Sequence, residues 1–265
     1  MFLKKWEDLP ECLKNKEVKL YYEILKKKKF SLFFKRLFDM VVSGFVLILV
    51  SPIFLILAIT IKIDSKGPVF YRQIRVTQYG KEFRIFKFRS MVSNADKGLL
   101  ITVNNDNRVT RVGKIIRKFK LDEFSQLIDV FRGAMSFIGT RPEVPKYVEK
   151  YTPEMMATLL LPAGVSSLAS IYFKDEAAML KETTDVDEVY VNKVLPIKMK
   201  YNLKAVEKFS FANEIKLMFM TIFSVLDVKY NKINYGVEVN ESNVIQEIVI
   251  TDLEDKSLGK NSDSN

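Results

Sequence analysis

The 265-residue chain contains no histidine and one cysteine, Cys12. Without histidine there is no imidazole base and the usual zinc ligand sets cannot form, and a single thiol excludes an internal disulfide and a thiolate cluster. The composition suits a reducing compartment, and any chemistry must run on carboxylates, lysine, arginine or hydroxyls. Acidic residues are also in deficit: 32 Asp and Glu face 42 Lys and Arg, giving a formal charge of +10. Such a surface favours phosphates, whether in nucleic acid, lipid headgroups or nucleotides, without choosing among them. The length fits one domain with appendages.

Charge is missing altogether from residues 40–61, "MVVSGFVLILVSPIFLILAITI". As a helix rising about 1.5 Å per residue, this run matches a hydrocarbon core of roughly 30 Å, so a plain spanning helix is one reading. Two features point to the other. Pro52, at the middle, removes a backbone N–H and orphans the carbonyl of Ile48 unless Ser51 or a neighbour compensates, so a bend is expected at Ser51-Pro52. Positive charge also flanks both ends: "KKKKFSLFFKR" precedes the run, and Lys62, Lys66, Arg72 and Arg75 follow it. A helical hairpin that enters and leaves on one side satisfies length and charge together. A cleaved signal peptide fits poorly, because the run begins some forty residues in and lacks a small-residue cleavage site.

Residues 1–29 form a mixed-charge, basic, helical extension in which Lys26 to Lys29 could lie on anionic headgroups or simply be solvated. After the apolar run, "SKGPVFYRQIRVTQYGKEFRIFKFRSM" reads as a hairpin or extended pair with a turn near Tyr79-Gly80, and Lys87 and Arg89 share a strand face. A polar loop is expected between Lys97 and Asn107, followed by a basic stretch, Arg108 to Lys120. In "LDEFSQLIDVF" the residues Leu121, Phe124, Ile128 and Phe131 recur at helical spacing, which places Asp122 and Glu123 in the first turn of an amphipathic helix. Acids are favoured there by the helix dipole alone, so the residues by themselves favour the plain reading over catalysis. "GAMSFIGTRP" reads as a turn-rich connection that presents Arg141 before a rigid Pro142. Residues 209–226 read as a buried or interfacial helix, and residues 252–265 as a disordered tail.

Taken in order, "KRLFD", "SP", "SKGPVFYRQIRV", "FRIFKFRSM", "NRVTRVGKIIRK", "LDEFSQLIDVFRGAMSFIGTRP" and "LPAGVSSLASIYFKDE" resemble the bacterial sugar transferase family, the small monotopic phosphoglycosyl transferases that begin glycan assembly on a polyprenyl phosphate. The resemblance covers roughly residues 30–226. It implies a mostly helical α/β monotopic membrane protein: a re-entrant helix-break-helix anchor at residues 30–66, broken at Ser51 and Pro52, and a cytoplasmic catalytic core at 67–226 with interfacial amphipathic helices. Residues 1–29 and 227–265 would be extensions. The implied location is the cytoplasmic face of the bacterial inner membrane.

The family moves a sugar 1-phosphate from a UDP-sugar to undecaprenyl phosphate and releases UMP. Its catalytic Asp-Glu dyad falls on Asp122 and Glu123, with Asp122 as the covalent nucleophile and Glu123 as metal contact or proton handler. Mg2+ is the implied cofactor, held by Glu123 and Asp122. Lys87, Arg89, Arg117, Arg141 and Pro142 carry over as residues that bind phosphate or shape the site. Capsule, O-antigen and exopolysaccharide synthesis are all compatible destinations, and self-association into a homo-oligomer is left open.

Two stretches depart from the common pattern. Thr140 stands where a first proline is usual, and "PAGVSS" replaces a "PGITG"-like turn. A membrane-tethered scaffold without activity is the main alternative, in which the acids only begin a helix. A nucleic-acid binder leaves the apolar run unexplained, and no nucleic-acid module is present.

Overall fold

The structure is a computed structural model that describes residues 3–92, 108–172 and 186–226, with 235 and 237. The loop expected between Lys97 and Asn107 and the tail at 252–265 lie outside the described residues. The described residues are mostly helical, with six short strands in three two-stranded ladders among them.

Helix α1 (Lys16–Lys26) begins at Asn15, whose side chain accepts from the Val18 N–H. Its apolar face is not solvated. Val18, Tyr22 and Leu25 are buried with Leu9 and Leu13 of the preceding turns against Tyr79, Leu160, Leu195 and Met199. The basic N-terminal segment therefore supplies part of the largest core cluster.

Helix α2 (Lys29–Asp64) contains the apolar run and passes through Pro52 without leaving helical conformation. The break expected at Ser51-Pro52 does not interrupt the helical assignment, which runs on through the proline. The physical reason lies beside it: the Ser51 hydroxyl donates to the Ile48 carbonyl at 2.8 Å, replacing the bond that proline removes. Apolar side chains at Phe45, Ile48, Leu49, Ile53, Leu55 and Ile56 are exposed.

Both ends of α2 dock on the globular part. Near its start, the "KRLFD" residues turn inward. Lys35 donates to the Ile138 carbonyl at 2.7 Å and pairs with Glu214, Arg36 donates to the Val130 and Phe131 carbonyls, and Asp39 accepts from the Ser136 hydroxyl at 2.7 Å. Near its end, Ile61 is buried with Phe88 and Ile116, Phe54 stacks edge-on against Phe88, and Asp64 accepts from the Val112 N–H at 3.0 Å.

The expected hairpin region forms two antiparallel ladders. Strand β1 (Phe70–Tyr71) pairs with β4 (Lys87–Phe88), and β2 (Ile74–Val76) pairs with β3 (Glu82–Arg84). The turn between β2 and β3 places Tyr79 and Gly80 at positive φ. Helix α3 (Arg111–Lys118) is capped by the Thr110 hydroxyl, which accepts from Gly113 N–H. A side chain at Gly113 would strike the Ser90 carbonyl.

Helices α4 (Leu121–Phe124) and α5 (Leu127–Arg132) follow almost without interruption, and here the expected amphipathicity is inverted. Phe124 and Phe131 are each 46% exposed, while Asp122, Ser125, Gln126 and Asp129 are buried. The inward side mixes these polar residues with Leu127 and Val130, and two of them, Ser125 and Asp129, meet backbone groups of Phe86 that apolar side chains cannot satisfy.

Two further corrections concern segments read as turns. "GAMSFIGTRP" contains strand β5 (Met135–Ile138), and "PAGVSS" contains β6 (Ala163–Ser166); the two pair in parallel, Met135 opposite Ala163. A parallel pair needs a long crossover, which residues 139–162 provide through α6 (Pro145–Val148) and a 3-10 turn at Met155–Leu160. At the crossing the backbones touch: a Cβ on Gly164 would lie 2.2 Å from the Gly139 nitrogen. Helix α7 (Leu168–Tyr172) follows. Helix α8 (Val186–Val189) continues through a π turn at Tyr190–Val194 into α9 (Leu195–Glu207), and α10 (Phe211–Val225) closes the described fold.

Candidate active site

Lys120 adopts a left-handed conformation (φ 52°), ending the α3 turn and starting α4 one residue later. Asp122 and Glu123 consequently sit in a first helical turn, as the spacing predicts. Neighbours on a helix point about 100° apart, so the two carboxylates leave in different directions. Asp122 turns inward, 6% exposed, and pairs with Lys87 Nζ of β4 at 2.9 Å. Glu123 turns toward the 139–144 loop and pairs with Arg141 at 2.6 Å. Burial alone would push the Glu123 carboxyl up, but Arg141, with help from Lys87 and Lys120, outweighs it and holds the group below the usual carboxylate range.

The loop that presents Arg141 is fixed on both sides. The Gly139 N–H donates to the Ser166 carbonyl at 3.0 Å and Gly164 N–H to Thr140 at 2.9 Å, so the β5–β6 crossing sets where the loop departs. Pro142 is buried, and its carbonyl accepts from Arg75 at 3.0 Å. Glu143 lies beneath: its carbonyl accepts from Val76 N–H, and its carboxylate accepts from the Tyr190 hydroxyl at 2.6 Å and lies 3.4 Å from Lys198.

The structure brings Asp122, Glu123, Lys87 and Arg141 together, with Pro142 shaping the loop. Two further predicted residues, Arg89 and Arg117, are engaged with neighbouring protein groups. Arg89 is 5% exposed and closes over the C-terminus of α2, donating to the carbonyls of Ile61 in its last turn and of Ser65 and Lys66 just beyond it. Strand β4 ends at Phe88, so the shared face expected for Lys87 and Arg89 does not carry both to one site. Arg117 donates its Nε to the Ser90 hydroxyl at 2.9 Å. Ser51 and Pro52 lie on the exposed middle of α2.

Sequence reasoning missed two sets of residues. One is the group of half-buried Arg75 with buried Glu143, Tyr190 and Lys198 behind Arg141, which are distant in sequence and carry no spacing signal. The other is Ser125 and Asp129. These stand three and seven residues after Asp122, so a polar helical stripe was legible beside the apolar one.

The bacterial sugar transferase family model matches residues 30–228. A UDP-glucose:undecaprenyl-phosphate glucose-1-phosphate transferase of Klebsiella pneumoniae is 36% identical over 196 residues, 72% of this chain and 39% of that protein. A UDP-N-acetylgalactosamine-undecaprenyl-phosphate N-acetylgalactosaminephosphotransferase of Aeromonas hydrophila is 34% identical over 198 residues, covering 73% and 44%. An uncharacterized sugar transferase, EpsL, of Bacillus subtilis is 30% identical over 193 residues, covering 72% of this chain and 87% of that one. The chain spans about two-fifths of the length of the first two relatives. A match over so much of the chain, on an acid pair held between two cations, establishes that the chain belongs to the bacterial sugar transferase family.

Proposed function

We propose that the chain transfers a sugar 1-phosphate from a UDP-sugar to undecaprenyl phosphate at the cytoplasmic face of the bacterial inner membrane, as the first membrane step of capsule, O-antigen or exopolysaccharide synthesis. The observation that carries this reading is the Asp122–Glu123 pair held between Lys87 and Arg141. An Asp122 oxygen attacks the sugar-bearing phosphorus of the donor, the bond to UMP breaks, and UMP leaves with the electron pair. An aspartyl phosphosugar remains. An oxygen of undecaprenyl phosphate then attacks the same phosphorus, giving the undecaprenyl-diphosphate-sugar and freeing the carboxylate. Lys87 and Arg141 can exchange their carboxylate partners for phosphate oxygens, so negative charge is met by cations throughout.

Among the described residues no three His, Cys, Asp or Glu converge on one point. The donor set fits a hard cation held by one or two carboxylates with phosphate and water, which is the habit of Mg2+. Glu123 and Asp122 would hold it. Bound there, Mg2+ supplies charge neutralisation at the diphosphate.

We further read α2 as a re-entrant anchor. Its two ends dock on one core, and Phe131 packs over Gly44 while Phe54 packs on Phe88. The stretch between these contacts, residues 45–53, measures about 13 Å at about 1.5 Å per residue, well short of a hydrocarbon core of roughly 30 Å. A core at the interface also spares the isoprenoid carrier from extraction into water, at about 0.8 kcal/mol per CH2.

UMP release tests the transferase reading. Nanodisc-held protein is given undecaprenyl phosphate, Mg2+ and a panel of UDP-sugars beside the Asp122→Asn variant. Release with one donor that falls at least about a thousand-fold in the variant is expected, because the nucleophile is removed. No release by folded, membrane-bound protein from any donor favours the scaffold.

A further inference from the structure

The chain passes from the β2–β3 ladder to the β1–β4 ladder at Ile85 and Phe86. The Ile85 N–H still reaches the Gln73 carbonyl at 3.0 Å, and sheet pairing resumes at Lys87. Phe86 falls between, and its backbone groups are met by side chains at the end of α4, which carries the acid pair, and of α5, which follows it. The Phe86 N–H donates to Asp129 Oδ2 at 2.7 Å, and the Ser125 hydroxyl lies 2.9 Å from both the Phe86 and the Asp122 carbonyls. Asp122, Ser125 and Asp129 are therefore one buried stripe: the first meets Lys87, and the other two grip the peptide immediately before it.

We propose that Asp129 and Ser125 are positioning residues, which hold the backbone of Phe86 at its N–H and its carbonyl and thereby set Lys87 Nζ against the Asp122 carboxylate. The proposal rests on the transferase reading only for its consequence on rate. The groups around this clamp agree with it. Asp129 is 3% exposed, and Arg72 and Arg132 approach the Phe86 ring, with the Arg72 guanidinium 3.5 Å from its centre and that of Arg132 at 5.9 Å. Arg72 also donates to the Arg84 carbonyl. Ring and backbone of Phe86 are thus both restrained, leaving Lys87 little freedom at its root. Tight placement matters because a shift of about 1 Å in a reacting constellation costs on the order of a hundred-fold in rate.

The test uses full-length protein in nanodiscs and two readouts. The first is acylation of Lys87 by a water-soluble amine reagent, followed by mass spectrometry, with Lys204 as reference. Freed from Asp122, Lys87 should acylate about three-fold faster or more in Asp129→Ala and in Ser125→Ala, while Asp129→Asn, which keeps an oxygen for the Phe86 N–H, should restore most of the wild-type protection. The second is UMP release, which should fall about ten- to a hundred-fold in Asp129→Ala, recover in Asp129→Asn, and fall no further when Asp129→Ala is added to Lys87→Ala. Ser125→Ala removes one hydroxyl and serves if Asp129→Ala does not fold. Unchanged Lys87 acylation in a folded Asp129→Ala or Ser125→Ala variant overturns the proposal, as does an additive loss in the Lys87→Ala background. Responsive acylation in a wild type that releases no UMP would uphold the clamp and overturn the transferase reading instead.

Discussion

Asp129 keeps its carboxylate in a place that opposes charge. Burial pushes it from 3.8 up to about 6, against the Phe86 N–H bond and the nearby Arg72 and Arg132, which pull it down. Because the folded protein binds this proton more tightly than the unfolded chain, the associated stability is complete below about pH 4 and is lost as pH rises through about 6. Two units correspond to about 3 kcal/mol at 1.36 kcal/mol per unit. Asp129→Asn removes the titration and keeps an acceptor for Phe86. The variant should therefore exceed wild type in unfolding free energy by up to about 3 kcal/mol at pH 8, with the gap closing by about pH 4. Denaturant unfolding across that range checks it, and a gap that does not vary with pH would contradict the assignment. The chain thus retains a costly charge beside its site, where the same hydrogen bond is available from an amide.

The docking of α2 on α10 and β5 depends on a similar buried charge. Lys35 is almost fully enclosed, and it pairs with Glu214 while also donating to Ile138 at the root of the Arg141 loop. Removing one partner leaves the other charge buried and alone, which costs about 3–5 kcal/mol, whereas replacing both by apolar residues of similar volume is often neutral or better. Lys35→Ala should accordingly lower stability by about that amount in thermal or denaturant unfolding, and Lys35→Met combined with Glu214→Leu should restore most of it. Equal losses in the single and double variants would refute the pairing. At this scale, legibility followed the range of the interactions. The apolar run, the turn at Tyr79-Gly80 and the first-turn position of Asp122 and Glu123 follow from local periodicity and turn chemistry, and all were readable. The polarity of the α4–α5 stripe was not, because Leu121, Phe124, Ile128 and Phe131 obey the helical period, and period alone does not say which stripe meets protein. Strands β5 and β6 were hidden for a related reason: a parallel pair is made by residues nearly thirty apart, and their glycines mimic turns while serving close backbone approach. The contact of Arg89 with the end of α2 was hidden because nothing local reveals the helix terminus it meets.

On the whole molecule, large apolar side chains are exposed on several elements. Phe45, Ile48, Leu49, Ile53 and Ile56 of α2 are joined in exposure by Ile115 and Phe119 after the α3 start, Phe124 and Phe131 of the inverted stripe, and Phe219, Ile222 and Phe223 of α10. So much open apolar surface is compatible with the membrane anchor proposed above. The +10 charge supports the same orientation, since basic residues near a membrane surface favour the anionic cytoplasmic leaflet. If α2 dips and returns, the basic segments at its two ends lie on one side; if it spans, they lie on opposite sides. With Cys12→Ser as background, Lys28→Cys and Lys62→Cys provide single reporters at exposed positions at the two ends. In sealed inverted vesicles, where the cytoplasmic face is outward, a membrane-impermeant maleimide should label both variants, and in right-side-out cells neither should react before lysis. Labelling of one position only from each side would establish a spanning helix and remove the re-entrant anchor. Because Arg89 ties the end of α2 to the residue beside β4, and Lys35 ties its start to the residue beside the Arg141 loop, a same-side result would also mean that depth in the bilayer is set by the same contacts that fix the height of Asp122 above it.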